Sequence, residues 1–183
     1  DTLTLSILDM QDVSCYGAND GAVAVSVDNA SGGYGGTPPF TFTIDGGDTQ
    51  ISMNPVVGDV VFDNLSPGDH LLEVVDANNC TDTLTIHILQ PTELNLAIFS
   101  QTDTIDCFGL QTAFVELYAS GGNPTYTYTL ENATTTLGIQ QSEWFFNLGA
   151  DDYTITVEDV NNCQTSVNVF VEENPEIIIQ ETL

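Results

Sequence analysis

The chain has 183 residues, of which 27 are aspartate or glutamate and none is lysine or arginine. Ordinary usage would supply roughly 20 basic residues, so the usual grip on nucleic-acid phosphates is missing and that partner class is excluded. An apolar share of 42% marks a folding sequence, and no stretch approaches the ~18 consecutive apolar residues of a membrane-spanning helix.

An acidic surface of this kind repels copies of itself and stays soluble. It also offers no cleavage site to trypsin-like proteases, which suits life outside a cell; a generally acidic proteome would give the same composition. The first residues carry neither a basic n-region nor an apolar h-region, so an export signal is expected upstream of this segment. Cys15, Cys80, Cys107 and Cys163 show neither Cys-x-x-Cys nor His-linked spacing, which favours disulfides over zinc and places the chain in an oxidising, extracellular compartment.

In chain order, the first half offers short alternating apolar runs at 3–8, 22–27, 40–44, 50–53, 60–62, 70–76 and 83–89. Thr, Val, Ile and aromatics fill them, and Gly, Pro, Asn and Asp separate them, so each reads as a strand. IDGGDT (44–49) reads as a hairpin turn, and DANN (76–79) as a turn whose Asn and Asp tolerate positive φ. Seven short strands in about 90 residues predict an all-β, antiparallel Greek-key sandwich of immunoglobulin-like type.

The second half repeats the first. NLSPGDHLLEVVDANNC (64–80) lies on NLGADDYTITVEDVNNC (147–163) without a gap, and PPFTFTI (38–44) lies on PTYTYTL (124–130). VSCYG lies on IDCFG, SGG at 31–33 on SGG at 120–122, and LQPTELNL on EENPEIII. Tandem copies of this kind predict two sandwiches, residues 1–91 and 92–174, with 175–183 as the opening strand of a following copy. The expected cores are Phe40, Phe42, Leu72, Val74 and Ile86 in the first copy, and Tyr126, Tyr128, Ile155, Val157 and Val169 in the second. The short joint around Pro91 predicts domains placed end to end as a rod.

The run CYGANDG (15–21), then PFTF (39–42), LSPGDHLLEVVDANNC and LQPTEL resembles the SprB-type repeat of giant cell-surface adhesins of gliding bacteria, typically type 9 secretion substrates. The second copy departs from it at CFGLQTA (107–113), which lacks Asn-Asp-Gly. The resemblance implies a surface filament or adhesin in which the repeats act mostly as spacers, with neighbouring repeats, surface polysaccharide or other cells as partners. The alternative is a carbohydrate- or ligand-binding module of a secreted protein, for which exposed aromatics on a sandwich face would speak. Trp144 stands alone and is expected in the core at the start of a strand; Tyr34 sits in a Gly-rich loop.

No catalytic constellation is legible. His70 and His87 face Tyr153 and Phe170 in the other copy, which suggests packing roles. No nucleophile elbow or phosphate loop is present, and the usual cationic clamps are missing; a non-enzyme is expected, with no cofactor. Calcium is the one ion the composition suits: Asp12, Asn19 and Asp20 in one loop, and Asp76, Asn78 and Asp82 around one turn, supply oxygen ligands. Against this, Asx residues occupy turns for backbone reasons and face water. Asn29, Asn64, Asn79 and Asn132 head Asn-x-Ser/Thr triplets at a density close to chance. Thr2, Thr83 and Thr104 follow Asp in a pattern that resembles the O-glycosylation signal of the phylum of gliding bacteria.

The cysteines pose a pairing problem. Bonds within each copy would be Cys15–Cys80 and Cys107–Cys163. However, the first strand carries Cys15 to the bottom of its sandwich, and the last strand, which must also run downward, leaves Cys80 at the top. That separates them by ~20 Å, against the ~7 Å between Cα atoms that a disulfide allows. The expected bond is therefore Cys15–Cys163, between copies, with Cys80 and Cys107 reserved for neighbouring repeats.

Overall fold

A computed structural model describes residues 3–28, 35–53 and 60–180. The chain divides into two units, Asp1–Pro91 and Thr92–Leu183, and every regular element among the described residues is a strand.

In the first unit the strands are β1 (Thr4–Gln11), β2 (Gly21–Asp28), β3 (Phe40–Ile44), β4 (Asp48–Ser52), β5 (Val60–Leu65), β6 (Gly68–Val75) and β7 (Thr81–Ile88). They form a three-stranded sheet, β1-β2-β5, and a four-stranded sheet, β4-β3-β6-β7, with every pairing antiparallel. Consecutive strands β2 and β3 therefore lie in different sheets, and β5 returns to pair with β2, which is the Greek-key wiring of an immunoglobulin-like sandwich. Alternation decides which side chains face inward: in β3, Phe40, Phe42 and Ile44 are buried while Thr41 and Thr43 are not. The β3–β4 hairpin turns at Asp45 and Gly46, both with positive φ (51° and 68°), as an Asp-Gly hairpin requires.

The second unit repeats the plan with β8 (Asn95–Gln101), β9 (Thr104–Ile105), β10 (Ala113–Ser120), β11 (Thr127–Asn132), β12 (Thr136–Gln140), β13 (Trp144–Leu148), β14 (Asp151–Glu158) and β15 (Gln164–Glu173). Its sheets run β13-β10-β8 and β12-β11-β14-β15-β9. The first strand starts in one sheet as β8 and crosses to the other as β9, which pairs parallel with β15. In the first unit the same crossing is marked by Val13, whose N–H donates to Leu89 O at 3.1 Å.

Each unit encloses its own core. Phe40, Phe42, Leu72, Val74 and Ile86 are buried in the first, and Tyr128, Ile155, Val157 and Val169 in the second. Tyr126 lies only partly buried against the second cluster, because its hydroxyl reaches out to donate to Gly121 O at 2.6 Å. Beyond β15, residues 174–180 form no strand and Ile177, Ile178 and Ile179 stand exposed; a lone segment has no ladder to join. Residues 181–183 of the expected following strand lie outside the described residues.

Tyr128 takes the place of Phe42 in the first core, and its buried hydroxyl has no hydrogen-bond partner. Burial, with Glu143 and Tyr126 nearby, pushes that phenol up to about 12. An unsatisfied buried hydroxyl costs ~1–3 kcal/mol, so Tyr128→Phe is expected to stabilise the second unit by about 1 kcal/mol in urea unfolding. A loss of stability would show that the hydroxyl is satisfied in solution.

Candidate functional site

The repeated Asp-x-Asn-Asn-Cys turn is built around a buried carboxylate. Asp76 Oδ1 accepts the N–H groups of Asn78 and Cys80, both at 2.8 Å, and its Oδ2 accepts that of Thr37 at 3.0 Å. Asp159 does the same with Asn161 (2.8 Å), Cys163 (3.0 Å) and Asn123 (2.7 Å). The second Asn of each turn, Asn79 or Asn162, sits at φ 63° or 62°, where Asn is tolerated better than most residues. Burial pushes the Asp76 carboxyl up, but the amides of Cys80, Thr37 and Asn78 outweigh it and hold it below the ordinary value.

These carboxylates explain the glycine-rich loops. A Cβ on Gly122 would stand 2.6 Å from Asp159 Oδ2, and one on Gly36 would stand 3.0 Å from Asp76 Oδ2; both glycines have positive φ. Gly36 is thus the counterpart of Gly122, and the alignment of SGG at 31–33 with 120–122 is corrected: what the loop must match is the glycine over the carboxylate. Residues 31–34, Tyr34 among them, lie outside the described residues.

The remaining expected cation ligands are dispersed. Asp12 Oδ1 accepts Leu89 N–H at 2.8 Å, Asp20 Oδ1 accepts Ser14 N–H at 2.9 Å, and Asp82 Oδ2 accepts Leu5 N–H at 2.7 Å. The bonds from Ser14 hold the Asp20 carboxyl below its ordinary value. Asn19 is exposed beside Asp20, and Asn78 turns its amide to Thr37 Oγ1 at 2.8 Å. Asp76 offers its oxygens to amides. Among the described residues no group of three or more His, Cys, Asp or Glu is placed to hold a metal.

Of the modification candidates, Thr83 and Thr104 are exposed on β7 and β9, as are Asn64 and Asn79; Asn132 is half-buried. Thr2 and Asn29 lie outside the described residues. Cys80 and Cys107 are exposed free thiols, whereas Cys15 and Cys163 are disulfide-bonded. In each unit the two cysteines lie at opposite ends of the last strand. Cys80 precedes β7, while the Cys15 loop meets its far end, where Gly17 N–H donates to Gln90 Oε1 at 2.9 Å. Cys163 precedes β15, and Gly109, beside Cys107, donates to Glu173 Oε2 at 2.7 Å at the other end. Eight strand residues span about 26 Å, and with Cys80 and Cys107 as free thiols the alternative bonds within each copy, Cys15–Cys80 and Cys107–Cys163, are not formed.

The two histidines have different roles. Tyr153 OH donates to Gly149 O, four residues back, at 3.0 Å; this is the tyrosine corner of immunoglobulin-like sandwiches. His70 stands in for it, with Nε2 2.8 Å from Ser66 O and Nδ1 2.6 Å from Asp45 Oδ2. Both partners are acceptors, so both ring nitrogens must carry hydrogen and His70 is held as an imidazolium. Burial alone would lower its pKa, yet the bonds to Ser66 and Asp45 and the nearby Asp69 raise it. The His70 bond lowers Asp45 in turn, against the opposing pull of burial. His87 does not pack: it is exposed and pairs across the strands with Asp69, Nδ1 to Oδ1 at 2.7 Å.

Trp144 is not in the core. It is 38% exposed on the outer face of the β13-β10-β8 sheet, because its neighbour Phe145 takes the inward position. Phe146 stacks on it with ring centroids 5.5 Å apart and planes 9° from parallel, and Phe114 lies at 5.8 Å and 30°. Sequence spacing contained the signal: Trp144, Phe146 and Phe114 share one strand parity on adjacent strands.

The sequence profile of the SprB repeat matches residues 8–34 and 100–135, one segment in each unit. No curated protein matches. Among solved structures, the three N-terminal domains of the outer capsid protein Hoc of bacteriophage RB49 are similar in fold. Identity is 10% and the TM-score 0.54, over 94% of this chain and 59% of that one. A receptor-bound fragment of intimin aligns at 16% identity and TM-score 0.43, over 94% and 64%. The fibronectin(III)-like modules of Clostridium thermocellum CbhA align at 11% and 0.39, over 97% and 100%.

Two outcomes follow from these turns and corners. Replacing Asp159 with Ala strands three amide donors, a loss of ~3 kcal/mol at ~1 kcal/mol each, readable as an earlier urea transition of the second unit; an unchanged transition would show that the turn holds itself. For His70, a raised pKa stabilises the fold fully below the unfolded value of 6.5, and that share is lost as pH rises through the folded value above it. Asp45 acts oppositely: its share is present above 3.8 and lost as pH falls through its lowered value. The stability of the first unit against urea should therefore fall from about pH 6.5 upward, and His70→Tyr should flatten that slope. An unaltered slope in the variant would refute the imidazolium.

Proposed function

We propose that these two tandem SprB-type repeats are structural spacers of an extracellular surface filament or adhesin, joined end to end and locked by a disulfide between Cys15 and Cys163. The observation that carries this reading is the cysteine pattern. Each unit holds one bonded cysteine and one free thiol, at opposite ends of a sandwich too tall for an internal bond. A bond that crosses from copy to copy satisfies that pattern, and Cys80 and Cys107 would repeat it with the preceding and following repeats. The outcome would be a covalent ladder that resists shear at every joint.

The SprB repeat belongs to cell-surface proteins, which supports an extracellular location and an adhesin-type module; export by type 9 secretion and a part in gliding are what that family implies. The absence of lysine and arginine supports the same setting, since a filament outside the cell gains from resistance to trypsin-like proteases and from mutual repulsion. No catalytic role is part of this reading.

Peptide mapping of a longer array without reductant should recover one linked pair carrying Cys15 and Cys163, and small-angle scattering of the two-unit chain should give a fixed, extended shape. Linked peptides carrying Cys15 with Cys80, or a broad spread of inter-domain angles that reductant leaves unchanged, would overturn the ladder.

A further inference from the structure

The aromatic face of the second unit has no structural need behind it. By repeat position, Trp144, Phe146 and Phe114 correspond to Val61, Asp63 and Ala22, and the first unit builds the same sheet with those residues. Phe146 is 60% exposed, and Phe99 and Tyr118 add further exposed rings from β8 and β10. Exposed apolar clusters on a soluble domain mark interaction sites.

Beside this face lies an open groove of about 540 Å³, inside the range of small-ligand sites. It runs between β12 and β13, each the edge strand of its sheet, and Trp144 and Phe146 line one side. The other lining groups include Leu137, Gln111, Asn147 and Asp151. The lining thus joins aromatic rings to amides and a carboxylate, with no lysine or arginine in the chain and no histidine in the lining to match an anionic ligand.

A peptide strand is poorly suited to this edge. Gln140 Nε2 donates to Ser142 O at 3.0 Å and to Trp144 O at 2.6 Å, and Trp144 N–H donates to Ser142 Oγ at 3.2 Å. The backbone groups that an added strand would pair with at Trp144 are already taken, as protected edges require.

We propose that this groove and the Trp144–Phe146 stack bind a neutral polysaccharide. The apolar faces of its sugar rings would pack against the aromatics and its hydroxyls would bond Asn147, Gln111 and Asp151. Uronates, sulfates and phosphates are rejected by the uncompensated carboxylates. The proposal deepens the adhesin reading, giving one repeat in the array a contact role that its neighbour lacks.

The test is affinity electrophoresis of the intact two-unit chain through gels containing neutral polysaccharides (mannan, β-glucan, xylan, galactan), with alginate and heparin as anionic controls. Retardation by at least one neutral polymer and by neither anionic one is expected, with Trp144→Ala and Phe146→Ala each weakening it at least tenfold. Val61→Ala in the first unit should leave it unchanged, and urea unfolding of all variants should show that they fold. Trp144 is the chain's single tryptophan, so its fluorescence should shift saturably with the retarding polymer. No retardation by any neutral polymer, equal retardation by alginate, or undiminished retardation of Trp144→Ala would overturn the proposal, as would a concentration-dependent dimer that Trp144→Ala abolishes. Scattering from Trp144→Ala keeps the readings apart, because a lost glycan contact leaves the extended shape of a spacer intact.

Discussion

The structure depends on a buried aspartate just after the penultimate strand of each unit. Asp76 and Asp159 each gather three backbone N–H groups, two from their own turn and one from the loop that leads into the opposite strand. That single side chain fixes the turn, draws the glycine-bearing loop onto it, and sets where the last strand begins. Three sequence features therefore have one cause: the Asp, the Asn at positive φ, and the glycine whose missing side chain leaves room for a carboxylate. A glutamate would reach too far, and an asparagine would turn one acceptor into a donor.

The lack of lysine and arginine gives this arrangement a wider meaning. Carboxylates that must be held in place have only N–H and O–H donors to hold them, and backbone amides are the most abundant of these. Asp12, Asp20, Asp45, Asp82 and Glu173 all accept a main-chain N–H, and most of these bonds tie residues far apart in sequence. Such bonds do not pair opposite charges, so they lose less to salt screening than surface ion pairs do. The exception is His70, which the first unit uses as its one internal cation. It is tied at once to Asp45 and to the corner carbonyl, a joint that the second unit makes with a tyrosine and no charge.

Much of the fold was legible in the sequence because its signals are local. Alternation placed Phe40, Phe42, Leu72 and Val74 inside, and β1 to β7 each overlap an expected run, β3 without any shift and the others with boundaries differing by up to three residues. What local pattern could not give was long-range. The equivalence of Gly36 with Gly122 appears only when both are seen against the carboxylate they cover, and a Gly-rich loop offers several equally good alignments. Trp144 was misplaced for a physical reason: a lone tryptophan beside phenylalanines reads as core, and which of three adjacent aromatics faces inward is decided by strand register. The purpose of Asp76 was hidden as well, since an exposed turn and a buried cage use the same residue types.

Two copies of one fold in one chain separate packing from purpose without any other sequence. Positions that agree, such as Asp76 with Asp159 and Asn79 with Asn162, are those that the sandwich itself requires. Positions that differ within a shared role show what the fold leaves free: histidine or tyrosine closes the same corner, and phenylalanine or tyrosine fills the same core site. A third kind differs without a shared role. Val61 and Trp144 occupy one place on one strand, and nothing in the sheet asks for an indole there. Exposing the stacked rings of Trp144 and Phe146, with Phe114 tilted against them, raises the hazard of association. In a chain without lysine or arginine, the aromatic pair Trp144–Phe146 is the feature on which the proposed glycan contact rests, and among the described residues the first unit has Val61 and Asp63 in its place.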